Sequence, residues 1–327
     1  MGINNLDNIF IILLNWNSSL DTIECLESIY NQSLKNFHIV IVDNNSNDNS
    51  VYNISSWTKK KSLNIDLIYY PSSGQSLIKK EFSRKLITII LNEKNSGFSE
   101  GNNIGIKYGL KNNANLFWIL NNDTIVERDA LSNLYTNLIK YKVDIAGSCM
   151  LYYNNKNIIQ TAGMDVLCNG LKITHRLNKK NYSTINPMQV YFVDANPACS
   201  ILISRHFFNI VGFFDKKYFM YHEDIDLQLR ANKLGLKNIV VLNSIIWHKC
   251  GSSSKKISSL GAYYQTRNKY ILLKNNSNLY ILFLPILIAN TLFNYLYIYQ
   301  RGNNKAARAI LLGFFDFFRG NRGYKKF

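Results

Sequence analysis

The sequence predicts an α/β fold, with a mostly parallel central sheet flanked by helices and a helical C-terminal extension. Three observations predict it. Uninterrupted apolar runs at 9–14 and 37–42 suit strands buried on both faces. Between them, Ser18, Ser19 and Asp21 offer helix caps, and Ile23, Leu26, Ile29 and Tyr30 recur at helical spacing. Strand, helix and strand thus fit within about 40 residues. After Lys256 the alternation stops: 260–274 has a helical pattern, 279–299 carries no charge, and the last segment alternates basic and apolar residues.

The remaining elements follow in order. The second apolar run ends at the polar stretch Asp43-Asn44-Asn45-Ser46-Asn47-Asp48. Strands are expected near 65–69 and 86–91, with a loop or local insertion at 71–84 between them. A helix at 99–110, a strand at 116–120, a helix at 127–141 and a strand at 143–147 come next. Residues 152–187 are polar and Asn-rich with weak periodicity, and read as an acceptor-side excursion. Strands resume at 190–193 and 199–203, a helix starts near Glu223, and a strand covers 238–242. No internal repeat stands out.

At 327 residues, 47% hydrophobic and 18% charged, the chain is long and apolar enough to fold around a sizeable core. A net charge of +17 favours an anionic partner: nucleic acid, an acidic membrane surface or a phosphorylated ligand. The five cysteines form no C-x-x-C pair, which argues against a zinc site or disulfide framework and for a reducing compartment. Residues 1–8 have no signal-peptide pattern, so the catalytic part is expected in the cytosol.

Three polar clusters follow apolar runs, where open α/β sheets place ligands at the carboxyl ends of strands. Asp43 either accepts from a base N–H or ribose hydroxyl, or ends an Asx-rich turn. Asp123, after Leu120-Asn121-Asn122, either binds a hard divalent cation that bridges a diphosphate or, again, closes a turn. Glu223, Asp224 and Asp226 crowd three carboxylates together. One facing a pocket could take a proton from an acceptor hydroxyl as general base, while acids at a helix N-terminus are also stabilised by roughly 0.3–1 kcal/mol each. Asp226 is the member best suited to a structural part. His248 could supply a neutral imidazole to the same cation or serve structure alone. The glycines of Asn95-Ser96-Gly97-Phe98-Ser99-Glu100-Gly101-Asn102-Asn103 allow close backbone approach to a ligand, without matching the dinucleotide fingerprint.

Taken in order, these segments resemble glycosyltransferase family 2, especially its rhamnosyltransferase-like branch. The resemblance rests on Ile12-Leu13-Leu14-Asn15-Trp16-Asn17, Val42-Asp43-Asn44-Asn45-Ser46, the 95–103 segment and Leu120-Asn121-Asn122-Asp123. It continues through Gly212-Phe213-Phe214-Asp215, Phe219-Met220-Tyr221-His222-Glu223-Asp224-Ile225-Asp226, Trp247-His248 and Tyr263-Tyr264-Gln265-Thr266-Arg267-Asn268. It implies a GT-A catalytic domain over 1–256, with a nucleotide-sugar half at about 1–125 and an acceptor half at about 126–256. Transfer would invert the anomeric carbon by direct displacement. Asn15, Asn17, Asp43, Asn95, Gly97, Phe98, Gly101, Asn102, Asn122 and Asp123 would surround the donor. Asp123 and His248 would hold Mg²⁺ or Mn²⁺, and Asp224, with Glu223 beside it, would be the base. Asn121 replaces the first acid of the family's D-x-D motif, leaving Asp123 its one carboxylate. The branch suggests dTDP-rhamnose as donor, with a UDP-hexose or UDP-N-acetylhexosamine as the alternative. The acceptor would be a lipid-linked or cell-surface polysaccharide, as in O-antigen or capsule assembly.

Residues 257–327 are read as a membrane-associating region. The uncharged stretch 279–299 nearly matches the roughly 20 residues of a span, but Pro285, Asn290 and Asn294 interrupt it and cations flank it on both sides. Ala307, Leu311, Phe314 and Phe318 beside Lys305, Arg308 and Arg319 suggest an interfacial helix on anionic lipid. Peripheral or monotopic attachment at the cytoplasmic face of the inner membrane is therefore expected. Two rivals are an inactive lipid-surface assembly module and a nucleic-acid binder. The second is disfavoured because the cations are diffuse and strand-end carboxylates repel phosphate.

Overall fold

The computed structural model describes residues 8–63, 65–70, 87–249 and 258–326. The expected loop at 71–84, Leu86, Cys250 and most of the N-terminal segment lie outside them. The chain runs β1 (Ile9–Asn15), α1 (Ser19–Tyr30), β2 (Phe37–Asp43), α2 (Ser50–Lys60), β3 (Ile65–Tyr70), β4 (Ile87–Asn92), α3 (Gly97–Lys111) and β5 (Leu116–Asn121). Then follow β6 (Thr124–Val126), α4 (Ala130–Tyr141), β7 (Ile145–Tyr152), β8 (Asn155–Thr161), β9 (Met164–Leu167), β10 (Lys172–His175), β11 (Val190–Val193) and β12 (Ser200–Ser204). The last elements are α5 (Arg205–Val211), α6 (Glu223–Lys233), β13 (Asn238–His248), α7 (Ser259–Asn276), α8 (Tyr280–Gln300) and α9 (Asn304–Phe318).

The main sheet has the order β11-β13-β7-β12-β5-β1-β2-β4-β3. β5, β1, β2, β4 and β3 are parallel, β12 is antiparallel to both its neighbours, and β13 runs parallel to β7. The uninterrupted apolar runs have the expected cause. In β1, Ile9, Ile11 and Leu13 enter the core shared with α1 and α4, while Phe10 and Ile12 enter the opposite core against α3. From β1 the chain goes to one side through β2 and returns on the other at β5, so their carboxyl ends diverge and open a crevice.

Helix α3 lies unusually close to this sheet, for a reason visible in its sequence. A Cβ on Gly101 would sit 2.4 Å from Leu14 Cδ1, on Gly105 2.6 Å from Ile12 Cγ2, and on Gly109 2.6 Å from Phe117 Cε1. Glycines four apart thus make a flat stripe for β1 and β5 to fill. Gly101 therefore serves helix–sheet packing, and it does not line the cleft at the strand ends.

Several elements depart from expectation. The polar 152–187 region contains β8 and the β9–β10 hairpin, β13 continues past a bulge to His248, and α2, β6 and α5 were not foreseen. The C-terminal helices share a core with the second half of the sheet domain: Tyr270, Ile271, Leu272 and Phe317 pack with Met164, Tyr218 and Ile225. On α9, Ala307 is buried and Leu311 and Phe314 are half-buried, while Phe318 stays exposed, so only part of the expected interfacial stripe is spent on packing. α8 instead carries the exposed apolar surface, with Leu282 and Phe293 about two-thirds exposed. By length and composition α8 could cross a membrane.

Candidate active site

The strand ends are tied together before any ligand is considered. Asn15, at the end of β1, donates from Nδ2 to Asp43 Oδ2 at 2.7 Å, and Ser46 donates from its backbone N to Oδ1 and from Oγ to Oδ2. Asn17 Oδ1 accepts from Asn47 N. Asn15 and Asp43 are buried with these bonds made, and neither they nor Asn17 line the cleft. They shape its floor from behind. The next residue does face it: Asn44 Oδ1 accepts from Asn92 Nδ2 and Ser96 N at 3.0 Å each, and Asn44 Nδ2 donates to Asn95 Oδ1 at 2.9 Å. Gly97 has φ +78°, and Phe219 occupies the space its Cβ would need. Asn102 donates back to Phe98 O within α3.

A cleft of about 2140 Å³ opens over these ends, well above the roughly 300–1,000 Å³ of a single small-ligand pocket. Asn95, Gly97, Phe98, Asn122, Asp123, Glu223, Asp224 and His248 all line it.

Asp123 and His248 meet because of strand register. The chain turns after β5 into β6, which pairs antiparallel with the end of β13 and sets Thr124 opposite His248. His248 Nε2 then lies 3.3 Å from Asp123 Oδ1. Nδ1 lies 3.4 Å from Gln160 Oε1 on β8, and Lys249 N donates to Asp123 O. In the tautomer that gives Gln160 the Nδ1 proton, Nε2 and the Asp123 carboxylate are both free to act as ligands of one cation. The donor set fits a divalent ion holding two protein ligands and taking oxygen from a diphosphate and water. Among the described residues there is no cluster of three or more His, Cys, Asp or Glu able to hold a metal unaided.

The acid end is built differently. Residues 215–222 form a strap over the N-terminus of α3, with Phe98 N and Ser99 N donating to Phe219 O. Phe219, Tyr221 and His222 all have positive φ (66°, 68° and 70°), a conformation that costs non-glycine residues roughly 1–3 kcal/mol each. Two residues of α7 hold it there. Asn268 Nδ2 donates to Tyr218 O, Met220 O and Tyr221 O at 2.9, 2.7 and 3.0 Å. Arg267, fully buried on the rings of Tyr263 and Tyr264, donates to Lys217 O and Tyr218 O. The sequence singled out this Arg-Asn pair without a task for it.

The strap delivers Glu223 and Asp224 to the cleft as the first turn of α6. Asp224 accepts from Ala198 N at 3.1 Å and from Ile225 N at 2.9 Å. Burial raises its pKa, opposed by these amides and by His175 across the cleft. Glu223 is more extreme: burial, then the Asp224 charge, push its carboxyl well above the usual range. Its Oε2 has no hydrogen-bond partner among the described residues. Burial thus raises both carboxyls, Glu223 further, because amide hydrogen bonds favour the charged form of Asp224. Asp226 is structural as expected, bonded by Tyr218, Arg230 and Asn276.

The mostly parallel sheet, with a large cleft at its carboxyl edge, an acid–imidazole pair and an acidic helix start, has the architecture of the GT-A fold. The model of glycosyl transferase family 2 matches residues 10–200, and the chain belongs to that family. It is 22% identical over 277 residues to the dTDP-rhamnosyl transferase RfbF of Shigella flexneri, covering 82% of this chain and 81% of that protein. It is 37% identical over 68 residues to the N-acetylglucosaminyl-diphospho-decaprenol L-rhamnosyltransferase of Mycobacterium tuberculosis, covering 20% of this chain and 22% of the other. Among solved structures it resembles GalNAc-T7 with UDP, GalNAc and Mn²⁺, at a TM-score of 0.60 and 15% identity. The match covers 81% of this chain and about half (48%) of that one, a likeness of fold.

Proposed function

We propose that the chain transfers a sugar, rhamnose from dTDP-rhamnose as first choice, to a lipid-linked saccharide with inversion at the anomeric carbon. The observation that carries this reading is one cleft lined both by the Asp123–His248 pair and by Asp224. Asp224 takes the proton of the acceptor hydroxyl, held in place by the amides of Ala198 and Ile225. Burial and the Asp224 charge favour the neutral form of Glu223, which limits the negative charge near the incoming hydroxyl. Asp123 and His248 would hold Mg²⁺ or Mn²⁺, which when bound neutralises charge on the departing diphosphate. Asn44, Asn95 and Gly97 would shape the nucleotide pocket, with Asn15, Asn17 and Asp43 behind it.

The donor choice is supported by the name of the Shigella relative and the lipid diphosphate by that of the mycobacterial one. A UDP-hexose or UDP-N-acetylhexosamine is the alternative. The exposed apolar side of α8 and the +17 charge support attachment to an anionic membrane from the cytoplasmic side. A panel of nucleotide-sugars with Mn²⁺ or Mg²⁺, read by hydrolysis and thermal stabilisation, tests the reading. Stabilisation by dTDP-rhamnose above the UDP-sugars is expected; no response to any nucleotide-sugar would overturn it.

A further inference from the structure

The C-terminal tail does not leave the molecule after α9 but returns to the catalytic cleft. Gly323 N donates to Lys217 O at 2.8 Å, and Gly323 O accepts from Arg267 at 2.8 Å. Lys325 N donates to the Tyr264 hydroxyl, and Lys325 Nζ pairs with the buried Asp316 at 2.9 Å. Tyr324 packs its ring 5.4 Å from that of Phe219. These ties hold the residue after Arg322 against Lys217 of the strap, and Lys216, Lys217 and Arg322 all line the cleft that Glu223 and Asp224 line. Among the described residues no carboxylate is paired with Lys216, Lys217 or Arg322; Arg322 donates to the carbonyls of Phe317 and Asn321 and stacks over the Phe317 ring. Burial and the nearby Arg267 charge both oppose the cation on Arg322, so an anion there would be welcome.

We propose that Lys216, Lys217 and Arg322 form a subsite for the phosphate groups of the acceptor's lipid carrier. On the proposed function the donor's diphosphate would sit elsewhere, at Asp123 between β5 and β6 and His248 at the end of β13. The last turn of α9 exposes Phe315 and Phe318, each four residues before a cation, Arg319 and Arg322, and Arg322 lines the cleft. A carrier with an apolar chain and an anionic head presents that same sequence of chemistries.

The proposal rests on the transferase reading, and its test separates the two. The wild-type protein is compared with Lys216→Ala/Lys217→Ala, whose side chains are exposed, and with Arg322→Ala. Each is given two acceptors with the same saccharide, one on a lipid diphosphate and one on an uncharged alkyl chain. The wild type should prefer the diphosphate acceptor in kcat/KM, and the variants should lose roughly tenfold or more of that preference through KM. An unmoved preference overturns the subsite. A rise in donor KM instead assigns these cations to the donor's diphosphate and also overturns it. Failure of the wild type to turn over any nucleotide-sugar would refute the transferase reading, and the subsite with it.

Discussion

Asn268→Leu tests how the acid end of the cleft is held. The side chain is fully buried, and its amide satisfies three strap carbonyls while its oxygen accepts from Arg267 Nε at 3.0 Å. Leucine keeps the volume and removes every one of these bonds. A net hydrogen bond contributes roughly 0.5–1.5 kcal/mol, and a buried group left unpaired costs about 1–3. Two amide protons shared by three carbonyls, plus the lost acceptor, give roughly 2–4 kcal/mol. The strap also holds three non-glycine residues at positive φ, so freeing it lets that strain relax and shifts Glu223 and Asp224, which follow immediately. Urea denaturation should show the stability loss, and kcat should fall at least tenfold at a temperature where the variant is folded. A stability change under about 0.5 kcal/mol with kcat intact would refute the pinning argument.

Further outcomes follow from the same geometry. Gln160→Leu removes the group facing His248 Nδ1 and should weaken cation-dependent donor binding by roughly 10-fold or more in a calorimetric titration; an unchanged titration contradicts the Asp123–His248 site. Glu223 has a raised folded pKa, so its unfolded form releases its proton first and stability is lost as pH rises from the ordinary 4.5 toward the folded value. Glu223→Gln should therefore gain on the wild type as pH rises above 4.5 in denaturant titrations, and a constant difference would contradict the burial argument. Leu282→Asp with Phe293→Asp, both exposed on α8, should reduce co-sedimentation with anionic vesicles; undiminished binding would remove α8 from the membrane contact.

The parallel half of the fold was legible because a strand buried on both faces leaves an unbroken apolar run, as in residues 9–14 and 116–120. The second half was harder. β8, β9 and β10 are short and polar on one or both faces, so 152–187 showed no clean period. Ser50–Lys60 hid as a helix because Asn, Ser and Thr dilute its apolar stripe. At the site, residue type was readable and direction was not. Asp43 and Asn44 are neighbours, yet one bonds inward and the other faces the cleft, which alternation along an irregular strand end decides. Gly101 and Gly97 read alike in sequence, but one packs α3 on Leu14 and the other makes the turn beneath Phe219. Arg267 and Asn268 could not be given partners, since the carbonyls they bind lie about fifty positions away along the chain.

The account depends most on Asp224 as the base in a cleft that binds the donor through other residues. Asp224→Asn, compared with wild type for equilibrium donor binding in Mn²⁺ and for transfer turnover, tests this directly. The account predicts donor affinity within a few-fold and turnover reduced by roughly 10²–10⁴-fold. Near-normal turnover in this variant would contradict it.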